Sequence, residues 1–192
     1  MIFVWMGLFA AGIVVLDQLS KYWTVQNISP WLCNNLNACT EHIEKLIQAD
    51  WIPSGVSLPK SVPGIEGLFE LIQVHNTGAA WSSFSGQIWL FAVIFIAFGG
   101  FLIWEFITGK MGFSQFERWC LVAVFAGGLG NMIDRIRFGF VVDMIHLQFM
   151  DFPVFNVADC FICCGCIALL VSLFFFNKGF WKETKKEEET CN

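Results

Sequence analysis

The sequence predicts an all-α membrane protein with four transmembrane helices and a small extracytoplasmic patch, containing β structure, between the first two helices. Of its 192 residues, 56% are hydrophobic and only 14% are charged, and the mean hydropathy is +0.63. These values lie outside the range of soluble globular proteins. Four apolar runs are each long enough to supply about 20 membrane-spanning residues. We therefore expect residues 1–192 to form a single integral membrane domain.

The four helices are predicted at residues 1–23, 88–108, 116–137 and 154–177. The first differs from a cleaved signal peptide, because no basic residue precedes its apolar run and no small-residue cleavage pattern precedes Asp17. Orientation follows Lys and Arg in short flanking segments and not the net charge of −5. Lys110, Arg118 and the lysines of the charged tail 178–192 indicate that both termini are cytoplasmic.

The segment 27–87 is then extracytoplasmic. Four prolines interrupt it, at positions 30, 53, 59 and 63, so a long helix is not expected there. Residues 41–49 are compatible with one short amphipathic helix, and residues 68–74 alternate loosely between apolar and polar side chains, which indicates a strand. A patch of this kind is expected to rest on the membrane surface.

The eight cysteines do not predict a metal or redox centre. Four of them lie in the fourth apolar run, but at about 100° per residue they are expected to point in different directions and to pack as small hydrophobic side chains; they are Cys160, Cys163, Cys164 and Cys166. No His or Cys cluster elsewhere completes a tetrahedral metal site. Whether Cys33 and Cys39 form a disulfide on the outer side is left open by the sequence.

Polar side chains within or beside the third and fourth apolar runs are the candidate functional residues. A carboxylate near the bilayer centre costs roughly 2.5–3.5 kcal/mol on insertion scales, so such residues indicate a site by default. The set consists of Asn131, Asp134, Asp143, Asn156 and Asp159.

Asn131, Asp134 and Arg135 are spaced to share one helix face, and the glycines before them allow close helix packing. A structural ion pair between Asp134 and Arg135 is the simplest interpretation of those two residues.

Asp143 and Asp159 are better candidates for chemistry. Asp143 has no basic residue beside it, and Asp159 stands three residues after Asn156, so that both project from one side of the fourth helix. A favourable helix-dipole interaction of Asp159 is the alternative, but it is worth only about 0.3–1 kcal/mol. Two carboxylates about 4 Å apart repel by roughly 4 kcal/mol at an effective dielectric constant near 20. One is then protonated and the other ionised, as an aspartyl hydrolase requires, without a metal ion or any other cofactor.

Five segments in order resemble the bacterial lipoprotein signal peptidases, or signal peptidase II. They are DQLSK at 17–21, NTGAAWS at 76–82, GGLGNMIDR at 127–135, VVD at 141–143 and FNVAD at 155–159. Each segment alone is a weak signal, whereas the five together cover most of the chain and are specific. The resemblance implies a membrane aspartyl endopeptidase that removes the signal peptide of diacylglyceryl-modified prolipoproteins before the lipidated cysteine.

The resemblance also implies residue roles. It makes Asp143 and Asp159 the catalytic pair and Asp134 a structural residue, while the substrate-binding or supporting residues are Asp17, Lys21, Asn76, Gly78, Asn131, Arg135 and Asn156. Prolipoproteins and membrane lipid are the implied partners, with no nucleic acid, and a monomer is expected. The implied location is the bacterial inner membrane, with the active site toward the extracytoplasmic face. The segment between Asp17 and Asn76 is longer and richer in cysteine than the family pattern, which indicates altered substrate selection.

Two other functions are compatible with the residues alone. Intramembrane aspartates are equally suited to a proton-coupled transporter, which with four helices would need to be oligomeric. A thiol oxidoreductase would instead use Cys33 and Cys39 with the cysteines of the fourth helix.

Overall fold

The computed structural model describes residues 1–28, 60–78 and 87–177. In chain order they form helix α1 (Ile2–Asn27), strands β1 (Ser61–Ile65) and β2 (Phe69–Asn76), helices α2 (Ile88–Thr108) and α3 (Gln115–Phe138), strand β3 (Val141–Leu147) and helix α4 (Val157–Phe175). All four helices are long and apolar enough to cross a membrane. The predicted fold class is confirmed. The predicted helix at 41–49, the cysteines at 33 and 39, and the tail 178–192 lie outside the described residues.

Helix α3 is the centre of the helical bundle and packs against each of the other three helices. Over its most apolar 18 residues it is 56% buried, against 17%, 11% and 17% for α1, α2 and α4. Ala123 and Ala126 of α3 pack with Ile13 of α1, and Phe161 of α4 adds to this cluster. The outward faces of the other helices carry large exposed apolar side chains, as lipid-facing surfaces do. Residues placed on α3 are therefore held from several sides.

Local caps set the ends of the helices. Helix α4 begins at Val157 and not at the predicted residue 154, because Asn156 caps it through reciprocal hydrogen bonds with Asp159. Helix α3 is capped in the same way by Ser114 and Glu117, and it ends at Phe138, before Gly139, whose φ of 83° suits a residue without a side chain. Helix α1 extends four residues beyond the predicted end at residue 23.

The three strands form one antiparallel sheet in the order β1-β2-β3. The prediction of a strand at 68–74 is confirmed by β2, whereas β3 was not predicted, so the sheet does not come only from the segment between the first two helices. In the register of β2 and β3, Asn76 is opposite Val141 and Val74 is opposite Asp143. This pairing places the end of β2 beside the start of β3, where the candidate catalytic residue Asp143 lies.

Glycines on α3 allow neighbouring elements to approach closely. A Cβ atom on Gly127 would lie 2.5 Å from the carbonyl oxygen of Ala158, and one on Gly130 would lie 2.5 Å from Oδ2 of Asp17. Such small residues are the usual means by which membrane helices make backbone contact. They bring α1 and the first turn of α4 against the part of α3 that carries Asn131.

Candidate active site

Asp143 and Asp159 line one cavity of about 450 Å³. Asp143 lies on β3 and is only 2% exposed, and Asp159 lies in the first turn of α4. Four other residues predicted for the site line the same cavity, and they come from the end of β2, the turn that follows it and α3: Asn76, Gly78, Asn131 and Arg135. Residues that are far apart in the sequence are thus assembled around two carboxylates.

Asn156 binds both carboxylates. Its Nδ2 donates to Oδ1 of Asp143 at 2.6 Å, and its backbone N–H donates to Oδ2 of Asp159 at 3.1 Å. Its Oδ1 accepts from the backbone N–H of Asp159 at 3.0 Å. Asn156, which caps α4, therefore also links the two aspartates. Asp159 both lies in the first turn of α4, where the helix dipole favours a carboxylate, and lines the cavity.

Asn131 supplies a second link, on the side of Asp159. Its Nδ2 donates to Oδ1 of Asp159 at 2.8 Å. Its Oδ1 accepts from Nδ2 of Asn156 at 3.0 Å and from Nζ of Lys21 at 2.9 Å. Because two donors face the oxygen, the amide group is held with its nitrogen toward Asp159.

Asn76 completes the hydrogen bonding of Asp143. Its Nδ2 donates to Oδ2 of Asp143 at 3.0 Å, while its Oδ1 accepts from the backbone N–H of Gly78 at 2.9 Å. The carbonyl of Gly78 in turn accepts from Arg135 at 2.7 Å. Hydrogen bonds therefore connect the turn after β2 both to Asp143, through Asn76, and to α3, through Arg135.

A fully buried charge cluster lies behind the cavity. Nζ of Lys21 is 2.9 Å from Oδ2 of Asp17 and 2.9 Å from Oδ2 of Asp134, and all three side chains are inaccessible to solvent. Asp17 also accepts from the backbone N–H of Ala158 at 3.0 Å, and Asp134 accepts from that of Val142 at 3.3 Å. The cluster joins α1 and α3 to the first turn of α4 and to β3, the two elements that carry the aspartates.

The prediction of an ion pair between Asp134 and Arg135 is wrong, because each residue contacts other groups. Asp134 pairs with Lys21, whereas Arg135 donates to the Gly78 carbonyl and to the backbone carbonyl of Asn131, and its guanidinium lies 4.3 Å from the ring centroid of Phe91. Successive residues of a helix point about 100° apart, so Asp134 faces α1 while Arg135 faces the cavity. Asp134 and Arg135 are adjacent in α3 but do not form an ion pair with each other.

The environment of Asp143 favours its protonated form. Burial, followed by the negative charge of Asp159, raises the pKa of Asp143 to about 7. Hydrogen bonds from Asn76 and Asn156 act in the opposite direction but do not outweigh burial. Near neutral pH, Asp143 is thus able to hold a proton that an ordinary aspartate would have lost.

The cysteines of α4 depart from the prediction that they would point in different directions. Cys160, Cys163 and Cys164 all line the cavity of the two aspartates, and Cys166 does not. Their i, i+3 and i+4 spacing, which places side chains on one helix face, was the available signal. Within the described ranges, no group of three or more His, Cys, Asp or Glu side chains is arranged to hold a metal ion.

The sequence prediction also missed Gln18. Its Nε2 donates to Oδ1 of Asp134 at 2.8 Å and lies 3.2 Å from Oδ2 of Asp17, so it ties together the two carboxylates that flank Lys21. Its position beside Asp17, in the first of the five segments, was the only available signal.

Comparison with known proteins decides the family. The family model described as signal peptidase (SPase) II matches residues 9–175. The chain belongs to the signal peptidase II family. Lipoprotein signal peptidases of Streptococcus pyogenes serotypes M2 and M1 are each 39% identical to it over 133 residues, which is 69% of this chain and 82% of theirs.

Solved structures agree with this assignment. A bacterial membrane enzyme determined by the in meso method at 2.3 Å resolution is similar to this chain with a TM-score of 0.67 and 27% identity, over 91% of this chain and 90% of the other. A second, determined by the same method at 1.9 Å, has a TM-score of 0.62 at 27% identity and covers 90% and 94% of the two chains. This signal peptidase II chain is therefore a membrane peptidase.

Proposed function

We propose that this member of the signal peptidase II family is an aspartyl endopeptidase that removes the signal peptide of diacylglyceryl-modified prolipoproteins, cutting before the lipidated cysteine. Family membership supports the coarser activity, which is removal of signal peptides from prolipoproteins. The observation that carries the aspartyl mechanism is the double contact of Asn156 with Asp143 and Asp159 at the cavity. This contact holds two carboxylates in one place with a single asparagine.

The two aspartates take different roles in this mechanism. Asp143, with its pKa raised to about 7, holds the proton and polarises the carbonyl of the scissile bond. Asp159 accepts hydrogen bonds from Nδ2 of Asn131 and from the backbone N–H of Asn156, which hold its carboxyl group in place, and it takes a proton from the attacking water. After attack, the proton on Asp159 passes to the leaving amine. No side-chain nucleophile is needed.

Arg135 is suited to hold the peptide backbone of the substrate. It lines the cavity, and its Nε is buried and has no hydrogen-bond partner among the described residues. A substrate carbonyl oxygen that accepts from this Nε would satisfy a buried donor whose isolation costs about 1–3 kcal/mol. Gly78, whose carbonyl is fixed by the same guanidinium, places the turn after β2 beside that peptide.

The proposed orientation puts both termini in the cytoplasm and the cavity at the outer face of the bacterial inner membrane. Lys110 and Arg118 lie in or beside the connection between α2 and α3, on the proposed cytoplasmic side. On the opposite side, Lys21 and Arg135 are engaged by Asp17, Asp134 and the Gly78 carbonyl. The rule that orients membrane proteins counts Lys and Arg residues in the short flanking segments, and those of the α2–α3 connection favour the cytoplasmic side. The lipid-modified substrate reaches the cavity from the bilayer, and one chain supplies both aspartates.

Cleavage of a lipid-modified preprolipoprotein by the purified protein in detergent tests the proposal. Asp143→Asn and Asp159→Asn should each abolish turnover, because each removes a proton donor or acceptor that the other cannot replace. Asp151→Asn is the matched control, since Asp151 is exposed in the connection between β3 and α4. Near-normal turnover by either dyad variant would refute the assignment. Cleavage should persist in a strong chelator, and loss on chelation would indicate a metallopeptidase instead.

A further inference from the structure

The wall of the catalytic cavity contains three thiol groups for which the proposed mechanism has no use. Cys160 directly follows Asp159, and Cys163 and Cys164 lie one helical turn further along α4. All three are free thiols; Cys163 and Cys164 are exposed and Cys160 is partly exposed. At 1.5 Å of rise per residue, Cys163 and Cys164 lie about 6 and 7.5 Å along the helix from Asp159. Any group attached to them would occupy space beside the aspartates.

The other thiols among the described residues are placed differently. Cys120 of α3 is only 7% exposed, and Cys166 does not line the cavity. The wall formed by Cys160, Cys163 and Cys164 is therefore a distinct surface, which we call the thiol wall. Because the proposed hydrolysis needs a water molecule at Asp159, the cavity beside the thiol wall must admit water.

The remainder of the cavity lining favours a small and mainly apolar reagent. Next to the thiol wall lie the apolar side chains of the connection between β3 and α4: Phe152, Pro153, Val154 and Phe155. A cavity of about 450 Å³ has room for a compact molecule. After such a molecule has reacted with a thiol, the adduct would occupy part of the cavity. The lining thus provides an apolar surface and soft nucleophiles in one place.

We propose that the thiol wall is a covalent modification site for small, apolar, thiol-reactive electrophiles, and that modification there blocks entry of the peptide substrate. In the reaction with N-ethylmaleimide, the sulfur of the ionised thiol bonds to one carbon of the alkene. The carbon–carbon π bond breaks, and the other carbon takes up a proton from water that replaces the one lost by the thiol. No oxidant or reductant takes part. The reacting form is the thiolate, so the modification is faster at higher pH.

This inference rests on the proposed function, because its readout includes cleavage, but the two can fail separately. The purified full-length protein is treated with N-ethylmaleimide in detergent, quenched with excess thiol and assayed with the lipid-modified preprolipoprotein. Intact-protein and peptide mass spectrometry count the adducts. Failure of the untreated protein to cleave would contradict the proposed function. Cleavage that survives full modification of the thiol wall would overturn this inference alone.

A triple variant identifies which thiols are responsible. Cys160→Ala, Cys163→Ala and Cys164→Ala are combined, which leaves the cysteines at 33, 39, 120, 166 and 191 unchanged. We expect near-complete loss of cleavage on treatment of the parent and little loss in the triple variant, each compared with its own untreated sample. The controls Cys120→Ala and Cys166→Ala should remain as sensitive as the parent. Equal sensitivity of the triple variant would place the inhibitory thiol elsewhere and overturn the inference.

The size of the adduct separates blocking from a chemical role of the sulfur atoms. If the adduct acts by filling the cavity, a smaller reagent that adds only a thiomethyl group inhibits less than N-ethylmaleimide. Inhibition that is independent of adduct size would contradict blocking. Substrate present during treatment should slow adduct formation on the three cysteines of the thiol wall but not on Cys166. Equal rates would show that the substrate does not cover the thiol wall.

Discussion

At the scale of single residues, the proton on Asp143 determines how cleavage should depend on pH. Burial and the charge of Asp159 raise the pKa of Asp143 to about 7, from 3.8 in an unfolded chain. Below the raised value Asp143 holds its proton and can act as the acid, and above it Asp143 has lost that proton. The folded state binds this proton more tightly than the unfolded chain, so the same group lowers the free energy of unfolding as the pH rises from about 4 to about 7.

We therefore predict that kcat/KM falls as the pH rises through about 7. The measurement is a pH profile of cleavage at low substrate concentration, and the apparent values belong to the pair of aspartates. Histidine side chains ordinarily titrate in this range, so the controls are His75→Gln and His146→Gln on the sheet. A falling limb that disappears in either control would assign it to an imidazole and not to Asp143.

Lys21 gives a second prediction at this scale, since its ammonium group balances two buried carboxylates. Replacing it in Lys21→Met leaves Asp17 and Asp134 buried without their 2.9 Å partner. Removing one partner of a buried ion pair costs roughly 3–5 kcal/mol. We expect a loss of that order in unfolding experiments in detergent, and no measurable loss for Lys110→Met, whose side chain is exposed. Adding Asp134→Asn should recover part of the loss, and a Lys21→Met protein as stable as the parent would contradict the cluster.

The sequence allowed the chemistry of the site to be predicted at residue scale, but not its contacts. Asp143 and Asp159 stood out because carboxylates are costly in apolar runs, and that physical signal is local. The partner of Asp134 could not be found in this way. Helix spacing suggested its neighbour Arg135, whereas the actual partner, Lys21, comes from α1 and depends on how α1 packs against α3.

At the scale of elements, the position of Asp159 depends on the close approach of α3 and α4. Gly127 faces the backbone of Ala158, the residue immediately before Asp159, and a Cβ there would lie 2.5 Å from the Ala158 carbonyl oxygen and 2.8 Å from the Ile162 side chain. The backbone has to move to accommodate it. Displacement of a catalytic group by about 1 Å is enough to reduce the rate roughly 100-fold.

We predict that Gly127→Ala reduces kcat by about that factor through displacement of Asp159. Gly128→Ala is the matched control, because its Cβ would meet only Phe95 at 3.5 Å, which is an ordinary contact. Both changes increase intrinsic helix propensity by about 0.8–1.0 kcal/mol, so propensity cannot explain a difference between them. Equal activity of the two variants, measured at saturating substrate, would show that α4 tolerates the displacement.

The elements themselves were predictable to different degrees. The four helices follow from apolar length, a property of each segment alone, and only their ends moved, as at Asn156, where a side-chain cap decides the first residue. Strand β3 was missed because its partner β2 lies about seventy residues earlier in the chain, and non-local pairing leaves no mark in the short segment 141–147. The sequence therefore predicted which residues form the site, but it did not predict that one aspartate lies on a strand and the other at the start of α4.

At the scale of the whole molecule, one end of the sheet carries large exposed apolar side chains. The β1–β2 turn and the segment after β3 are joined by hydrogen bonds from Gly67 N–H to Oε1 of Gln148 and from Gln148 N–H to the Leu68 carbonyl. Large exposed apolar side chains gather at this end of the sheet: Ile65, Leu68, Phe149, Met150 and Phe152. Phe152 also lines the cavity, so this apolar end of the sheet extends to the aspartates.

Such a surface is stable in the interfacial region of a bilayer and costly in water, because apolar area contributes about 25 cal/mol per Å² when it is removed from water. We therefore predict that the apolar end of the sheet contacts lipid in the folded enzyme. Replacing Phe149 by the photoreactive amino acid p-benzoylphenylalanine should give abundant cross-links to phospholipid acyl chains after reconstitution and illumination. The same amino acid at Lys60, which lies at the other end of β1 and about 16 Å from Ile65 at 3.3 Å per residue, should give few. Equal yields at the two positions would mean that the sheet does not insert its apolar end, and substrate lipid would then have to reach the cavity between the helices alone.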